Sequence, residues 1–134
     1  MSKVLVFNLS GHGHVNPTLA VVQELTARGE EVIYYLTDEF KHKIQSTGAT
    51  FQRYERMSKE QRQSLPSDSF PSLSEVFSRI LREGLQVIVP QLLDEVRAEQ
   101  PDYIIYDSMC LWGKLLTKIL QVPAIAFHST YASN

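Results

Sequence analysis

Cysteine, basic clusters and long apolar runs are all scarce in this sequence. Cys110 is the single cysteine, so no internal disulfide can form. Thirteen Lys and Arg stand against fifteen Asp and Glu, a net charge of −2 with no basic block, which argues against nucleic acid or an anionic membrane surface as partner. No apolar run is long enough for a transmembrane helix, and Met1-Ser2-Lys3 followed by a short apolar stretch lacks the layout of a signal peptide. Repeats and low-complexity tracts are absent too. Together these absences point to a cytoplasmic protein whose partner is a small molecule.

What is present is one domain's worth of alternating elements: 134 residues, 43% of them hydrophobic, suffice for one substantial core and not two. Lys3 to Leu9 reads as a buried strand, and Leu19, Val22 and Leu25 recur at helical spacing through Arg28, with Gly29 as a stop. Glu31 to Leu36 is a second strand, Asp38 to Thr47 a short helix capped by Asp38 and ended by Gly48, and Thr50 to Tyr54 a weaker third strand. Arg56 to Ser72, rich in Ser, Gln, Pro and charge, reads as a long loop of the functional or disordered kind. From Leu73 to about Glu99 apolar residues return at three- and four-residue steps, and Gly84 and Pro90 should kink or divide that helix. Asp102 to Tyr106 is a fourth strand, Met109 to Leu120 a helix with Leu111, Leu115, Leu116 and Ile119 inward, and Pro123 to Phe127 a fifth strand.

Strands alternating with helices imply an α/β fold, a Rossmann-like doubly wound parallel sheet of order 3-2-1-4-5 with right-handed crossovers. Parallel sheets are normally covered on both faces, yet no helix follows the fifth strand. The expectation is therefore an incomplete domain, cut off after that strand, with an exposed edge that favours self-association.

The chain is organised around Ser10-Gly11-His12-Gly13-His14-Val15-Asn16-Pro17, between the first strand and the first helix. Two glycines permit a sharp turn, Asn16 suits an N-cap and Pro17 the first helical position, so His14 is expected just ahead of a helix N-terminus. The partial positive charge of such a terminus disfavours an imidazolium beside it.

In a doubly wound sheet, ligands sit beyond the carboxyl ends of the strands where strand order reverses. His14 follows strand one, Asp107 strand four, and Ser129 and Thr130 strand five, so three separate stretches converge on one edge. A histidine beside a buried carboxylate makes a sensible base. The plainer reading of Asp107 is a cap for the helix starting near Met109, and of His14 a turn residue. His12 reads as structural, His42 and His128 have no evident partner, and Cys110 reads as a small buried hydrophobe. His12 and His14 alternate, without a Cys pair or carboxylate cluster, so no metal is expected. Gly11-x-Gly13-x-x-Asn16, with Asp38 after strand two, approaches a dinucleotide fingerprint. Asn16 in place of the third glycine, and a bulky histidine after each of the first two, rank that reading lower.

Beyond Ser10 to Pro17, the stretches Val32-Ile33-Tyr34-Tyr35, Thr37-Asp38-Glu39-Phe40, Pro90-Gln91-Leu92, Pro101-Asp102, Tyr106-Asp107, Gly113-Lys114-Leu115 and Ser129-Thr130-Tyr131-Ala132 carry a resemblance. Over essentially its whole length the chain resembles the amino-terminal, acceptor-binding domain of GT-B fold family-one UDP-glycosyltransferases, the bacterial macrolide-glycosyltransferase-like group. The resemblance implies inverting transfer of a sugar, glucose by expectation, from a UDP-sugar to a hydroxyl of a small apolar acceptor such as a macrolide or phenolic. It implies His14 as base and Asp107 as its holder, with neither metal nor cofactor. Substrate contacts fall on Gly13, Asn16, Phe70, Met109, Ser129 and Thr130, with Ser129 at the donor sugar and Phe70 lining the acceptor pocket. The family's nucleotide-sugar site lies mostly in a second, carboxy-terminal domain, so residues 1–134 alone are expected to be inactive. The alternatives are an NAD(P)-binding oxidoreductase domain, a related GT-B enzyme with a lipid-linked acceptor, and a non-catalytic Rossmann-like module.

Overall fold

In a computed structural model of the chain, residues 2–54 and 73–128 are described. The loop expected at Arg56 to Ser72, and Phe70, Ser129 and Thr130 with it, lie outside them. Five strands form one sheet: β1 (Lys3–Phe7), β2 (Glu31–Leu36), β3 (Thr50–Arg53), β4 (Tyr103–Asp107) and β5 (Ala124–Phe127). Their order is β3-β2-β1-β4-β5 and every pairing is parallel, as the alternation of elements predicts. Strand order therefore reverses between β1 and β4, whose registers pair Val4 with Tyr103 and Phe7 with Tyr106.

Strands β1, β2 and β4 are apolar on successive residues because both faces of the sheet are covered there. On one face Val4, Val6, Val32, Tyr34, Leu36 and Ile105 pack under α1 (His12–Ala27), a 3₁₀ turn (Asp38–Phe40) and α2 (Lys41–Gln45), which contribute Val15, Val22, Phe40 and Ile44. On the other, Leu5, Phe7, Ile33, Tyr35 and Ile104 pack under α4 (Val89–Glu99) and α5 (Leu111–Leu120), with Ile88 just before α4. Helix α3 (Leu73–Glu83) lies against α5. One π-helical turn, Gly84–Ile88, joins α3 to α4, and Pro90 sits at the start of α4. The long apolar stretch is thus divided where glycine and proline predict. Gly84 is also where the π turn meets α5: a Cβ there would stand 3.1 Å from Trp112 Cβ.

Several expectations need correction. α1 opens at His12 with Gly11 as N-cap, so Asn16 is not the cap and Pro17 lies inside the helix. The cause is at Gly11, whose carbonyl accepts both the His14 and the Val15 amides at 3.0 and 2.9 Å and closes the first turn before Pro17 is reached. Gly11 is extended (φ −179°), a conformation open to any residue, so no glycine-only turn precedes α1. Asp38 caps nothing; its carboxylate pairs with Arg53 at 3.2 Å, and the short helix begins as a 3₁₀ turn after Thr37. The buried face of α5 is Trp112, Gly113 and Leu116, and Ile119 points outward. Leu116 is inward as expected and Leu111 and Leu115 are half-buried; the apolar spacing left out Trp112 and Gly113, and glycine offers no hydrophobic signal although a Cβ on Gly113 would stand 2.9 Å from Tyr106 Cβ. Gly29 and Gly48 do terminate helices, both at φ near +90°, where a side chain would be strained. At the sheet edge beside β4, the β5 residues Ala124, Ile125 and Ala126 are exposed among the described residues, Ile125 to 55%.

Candidate functional site

Two loops meet where strand order reverses. β1 ends at Phe7, and the chain turns through Asn8 to Gly11 into α1, so His14 stands in the first turn of that helix. β4 ends on Asp107, and a tight turn closed by Cys110 N–H to the Asp107 carbonyl (2.8 Å) leads into α5. His14 Nδ1 and Asp107 Oδ2 are 3.2 Å apart. The Asp107 side chain is fully buried, whereas that of His14 is 26% exposed. A carboxylate oxygen only accepts, so the proton between them belongs on Nδ1 and the imidazole lone pair on Nε2.

The capping reading of Asp107 holds as well: its Oδ1 accepts the Met109 N–H at 2.8 Å. One oxygen fixes the turn into α5 and the other faces His14. That division orients the carboxylate, since rotating it to improve one bond would break the other.

Beneath His14 lies a buried polar network. Asn8 Nδ2 donates to the His14 carbonyl and to Tyr34 Oη, both at 2.9 Å, and Asn8 Oδ1 accepts the Leu9 amide at 2.7 Å. Tyr34 Oη is 2.7 Å from Thr18 Oγ1, which donates to the Val15 carbonyl at 2.7 Å. Tyr54 Oη donates to the Asn8 carbonyl at 3.2 Å. Burial pushes the Tyr34 phenol up from its ordinary value against the opposing effect of its bonds to Asn8 and Thr18, so it stays a neutral hydroxyl.

The other expected site residues group around this centre unevenly. Gly13 precedes His14, and a Cβ built on it would meet nothing within 4 Å. Open space therefore lies beside the helix start. Asn16 is exposed and accepts from Lys43 Nζ at 3.2 Å, while the same ammonium stands 3.1 Å from His12 Nδ1. His12 also lies edge-on to Phe40, with ring centres 5.1 Å apart, in keeping with a structural role. Met109 is half-buried in the turn after Asp107. Cys110 is buried, and its thiol is pushed well up by that burial. Asn8, Tyr34, Thr18 and Lys43 were not among the residues that sequence reasoning singled out. Asn8 alone carried a signal, as a polar residue inside the apolar run from Val4 to Leu9.

Among the described residues no group of three or more His, Cys, Asp or Glu is arranged to hold a metal ion. No helix among them is long and apolar enough to cross a membrane.

No family model matches the chain. Over 135 residues it is 37% identical to an NDP-glycosyltransferase of Bacillus subtilis, the alignment covering 98% of this chain and 33% of that protein. To the oleandomycin glycosyltransferase of Streptomyces antibioticus it is 30% identical over 129 residues, with 92% and 28% covered. Among solved structures, the calicheamicin glycosyltransferase superposes with a TM-score of 0.78 at 27% identity, over 100% of this chain and 34% of that one. The chain matches the amino-terminal domain of GT-B family-one glycosyltransferases. It spans about a third of the length of the curated relatives it matches. In the GT-B frame, His14 and Asp107 stand at the carboxyl edge of an amino-terminal Rossmann-like sheet.

Proposed function

We propose that this chain is the acceptor-binding domain of a glycosyltransferase that moves a sugar from a nucleoside diphosphate sugar to a hydroxyl of a small apolar acceptor. The observation that carries the reading is the His14–Asp107 pair, an accessible imidazole held at 3.2 Å by a buried carboxylate where strand order reverses. The similarity to the Bacillus subtilis NDP-glycosyltransferase and to the oleandomycin glycosyltransferase supports a nucleotide-sugar donor and a small-molecule acceptor. UDP-glucose and macrolide or phenolic acceptors are the expected pair.

In the proposed reaction His14 Nε2 takes the proton of the acceptor hydroxyl as the oxygen forms its bond to the sugar C1. The C1–oxygen bond to the diphosphate breaks with its electron pair leaving on the nucleoside diphosphate, and the single displacement inverts C1. Asp107 keeps the Nδ1–H tautomer and stabilises the imidazolium formed. No metal is needed for these steps. Gly13, Asn16 and Met109, with Phe70, Ser129 and Thr130, would contact substrates.

A donor domain beyond residues 1–134 would complete the enzyme, and the isolated chain would not turn over. The exposed β5 edge supports its self-association, which a monodisperse monomer in light scattering would overturn.

The test is transfer from UDP-glucose to a panel of phenolic and macrolide hydroxyls, comparing the 134-residue chain, the intact gene product and His14→Ala of the latter. Activity of the intact protein alone, lowered about 10²–10⁴-fold by His14→Ala, is the expected result. Wild-type transfer by His14→Ala would overturn the base.

A further inference from the structure

The turn that carries His14 is weakly built by its own sequence. Gly11 and Gly13 flank His12, Pro17 supplies no N–H to the Gly13 carbonyl, and Asn16 precedes a proline, a position that disfavours helical backbone. Yet the turn is helical from His12 onward, which directs attention to what holds it from below.

Donors and acceptors around Asn8, Tyr34 and Thr18 can be assigned in one direction only. Asn8 Oδ1 takes the Leu9 N–H, so Nδ2 must face the His14 carbonyl; the flipped amide would set oxygen against oxygen. Thr18 uses its single proton on the Val15 carbonyl, so it receives the Tyr34 hydroxyl proton. Tyr34 then has a lone pair for the second Nδ2 proton of Asn8. The path runs from Asn8 through Tyr34 and Thr18 to Val15, with a branch from Asn8 to His14. Followed in the donor direction, it ends on the carbonyls of two successive residues, His14 and Val15. All three side chains are buried, Asn8 and Tyr34 wholly and Thr18 to 3% exposure.

We propose that Asn8, Tyr34 and Thr18 are positioning residues for His14, fixing the backbone of its helical turn while Asp107 fixes its imidazole. This rests on reading His14 as the general base. A buried network serving stability alone can end on any polar groups. The donor chains of this one end on the carbonyls of His14 and of the residue after it, and they start from three different places: the residue after β1, the middle of β2 and the next turn of α1. Two anchors at right places matter because displacing a base by about 1 Å can cost as much as 10²-fold in rate.

The test uses the intact gene product with Tyr34→Phe, Thr18→Val, Thr18→Ser and His14→Ala. Tyr34→Phe and Thr18→Val keep shape and delete one hydroxyl each, whereas Thr18→Ser keeps the hydroxyl. Readouts are kcat and KM for acceptor transfer, thermal unfolding, and the His14 tautomer by nitrogen-15 NMR, its signals assigned by their loss in His14→Ala. The expected result is a kcat lowered about 10- to 100-fold in Tyr34→Phe and Thr18→Val with KM unchanged. A mixed His14 tautomer should accompany it, and Thr18→Ser should restore both properties. Should Tyr34→Phe fail to fold, Thr18→Val against Thr18→Ser decides alone. Lowered melting temperature with wild-type kcat and an unmixed tautomer would overturn the positioning role, leaving the base reading intact if His14→Ala is dead. Full transfer by His14→Ala would overturn both.

Discussion

His14 and Asp107 are 93 residues apart in sequence and 3.2 Å apart in space, Nδ1 to Oδ2. Because the other carboxylate oxygen is committed to the Met109 amide at 2.8 Å, Asp107 cannot turn away without undoing the start of α5. Asp107→Asn keeps the shape and offers an amide in place of one oxygen. With Nδ2 toward Met109 the amide would face an N–H with another N–H, so Nδ2 turns toward His14. There it donates to Nδ1 and drives the imidazole proton to Nε2, the wrong nitrogen for a base. Transfer by the intact gene product should fall about 10²–10⁴-fold, with acceptor KM little changed. A wild-type kcat in Asp107→Asn would remove Asp107 from the mechanism.

How much of this was legible in the sequence depended on whether a signal was local. Parallel pairing followed from alternation, and the division of the long helix from Gly84 and Pro90, because glycine and proline act on their own backbone. His14 with Asp107 was legible because topology alone sets the ends of β1 and β4 side by side. The start of α1 was not, since Asn16-Pro17 is a strong local cap signal that the Gly11 carbonyl and the Asn8–Tyr34–Thr18 network override. Tyr34 was hidden for another reason: inside β2 it counts as one more apolar strand residue, and only its hydroxyl partners reveal another role. Trp112 was missed because Leu111, Leu115 and Ile119 make a competing apolar row at four-residue spacing.

At Gly113, α5 lies close against the sheet. A Cβ there would come 2.9 Å from Tyr106 Cβ, 3.0 Å from Phe7 Cβ and 3.4 Å from Cys110 Sγ. The first two are fixed to strand backbone and cannot swing aside. Gly113→Ala would gain about 1 kcal/mol of helix propensity. Forcing α5 off β1 and β4 costs about 1–3 kcal/mol, so net destabilisation of up to about 2 kcal/mol is expected in urea unfolding of the protein. A stabilised variant would mean that α5 can shift outward freely.

Cys110 is wholly buried, and its thiol is raised well above the ordinary value, first by burial and then by the Asp107 charge, against a backbone hydrogen bond at Gly113. Thiolate, the reactive form, is thereby suppressed, and reagents cannot reach the sulfur. Cys110 should resist a disulfide thiol reagent at about pH 8 in the native protein and react fully after denaturation. Native labelling at the rate of a small free thiol would contradict the packing of α5 on β4.

Glu95, on the half of α4 near Tyr35, has its carboxyl raised from the ordinary value by partial desolvation and then by the charge of Glu99. Glu99 is itself 3.6 Å from Lys3 Nζ, which ties that end of α4 to β1. Because the folded protein holds the Glu95 proton more tightly than the unfolded chain, rising pH removes it first from the unfolded state. The contribution of Glu95 is therefore full below the ordinary carboxylate pKa and is lost as pH climbs through the raised folded value. Glu95→Gln is neutral throughout, so it should match wild type at about pH 4 and unfold at a higher temperature at about pH 7. Glu95 is exposed and screened by solvent, so the gain stays within about 0.5 kcal/mol. A lower melting temperature for Glu95→Gln at neutral pH would reverse the sign and mean that the Glu95 carboxylate is stabilised by a cation rather than opposed by Glu99.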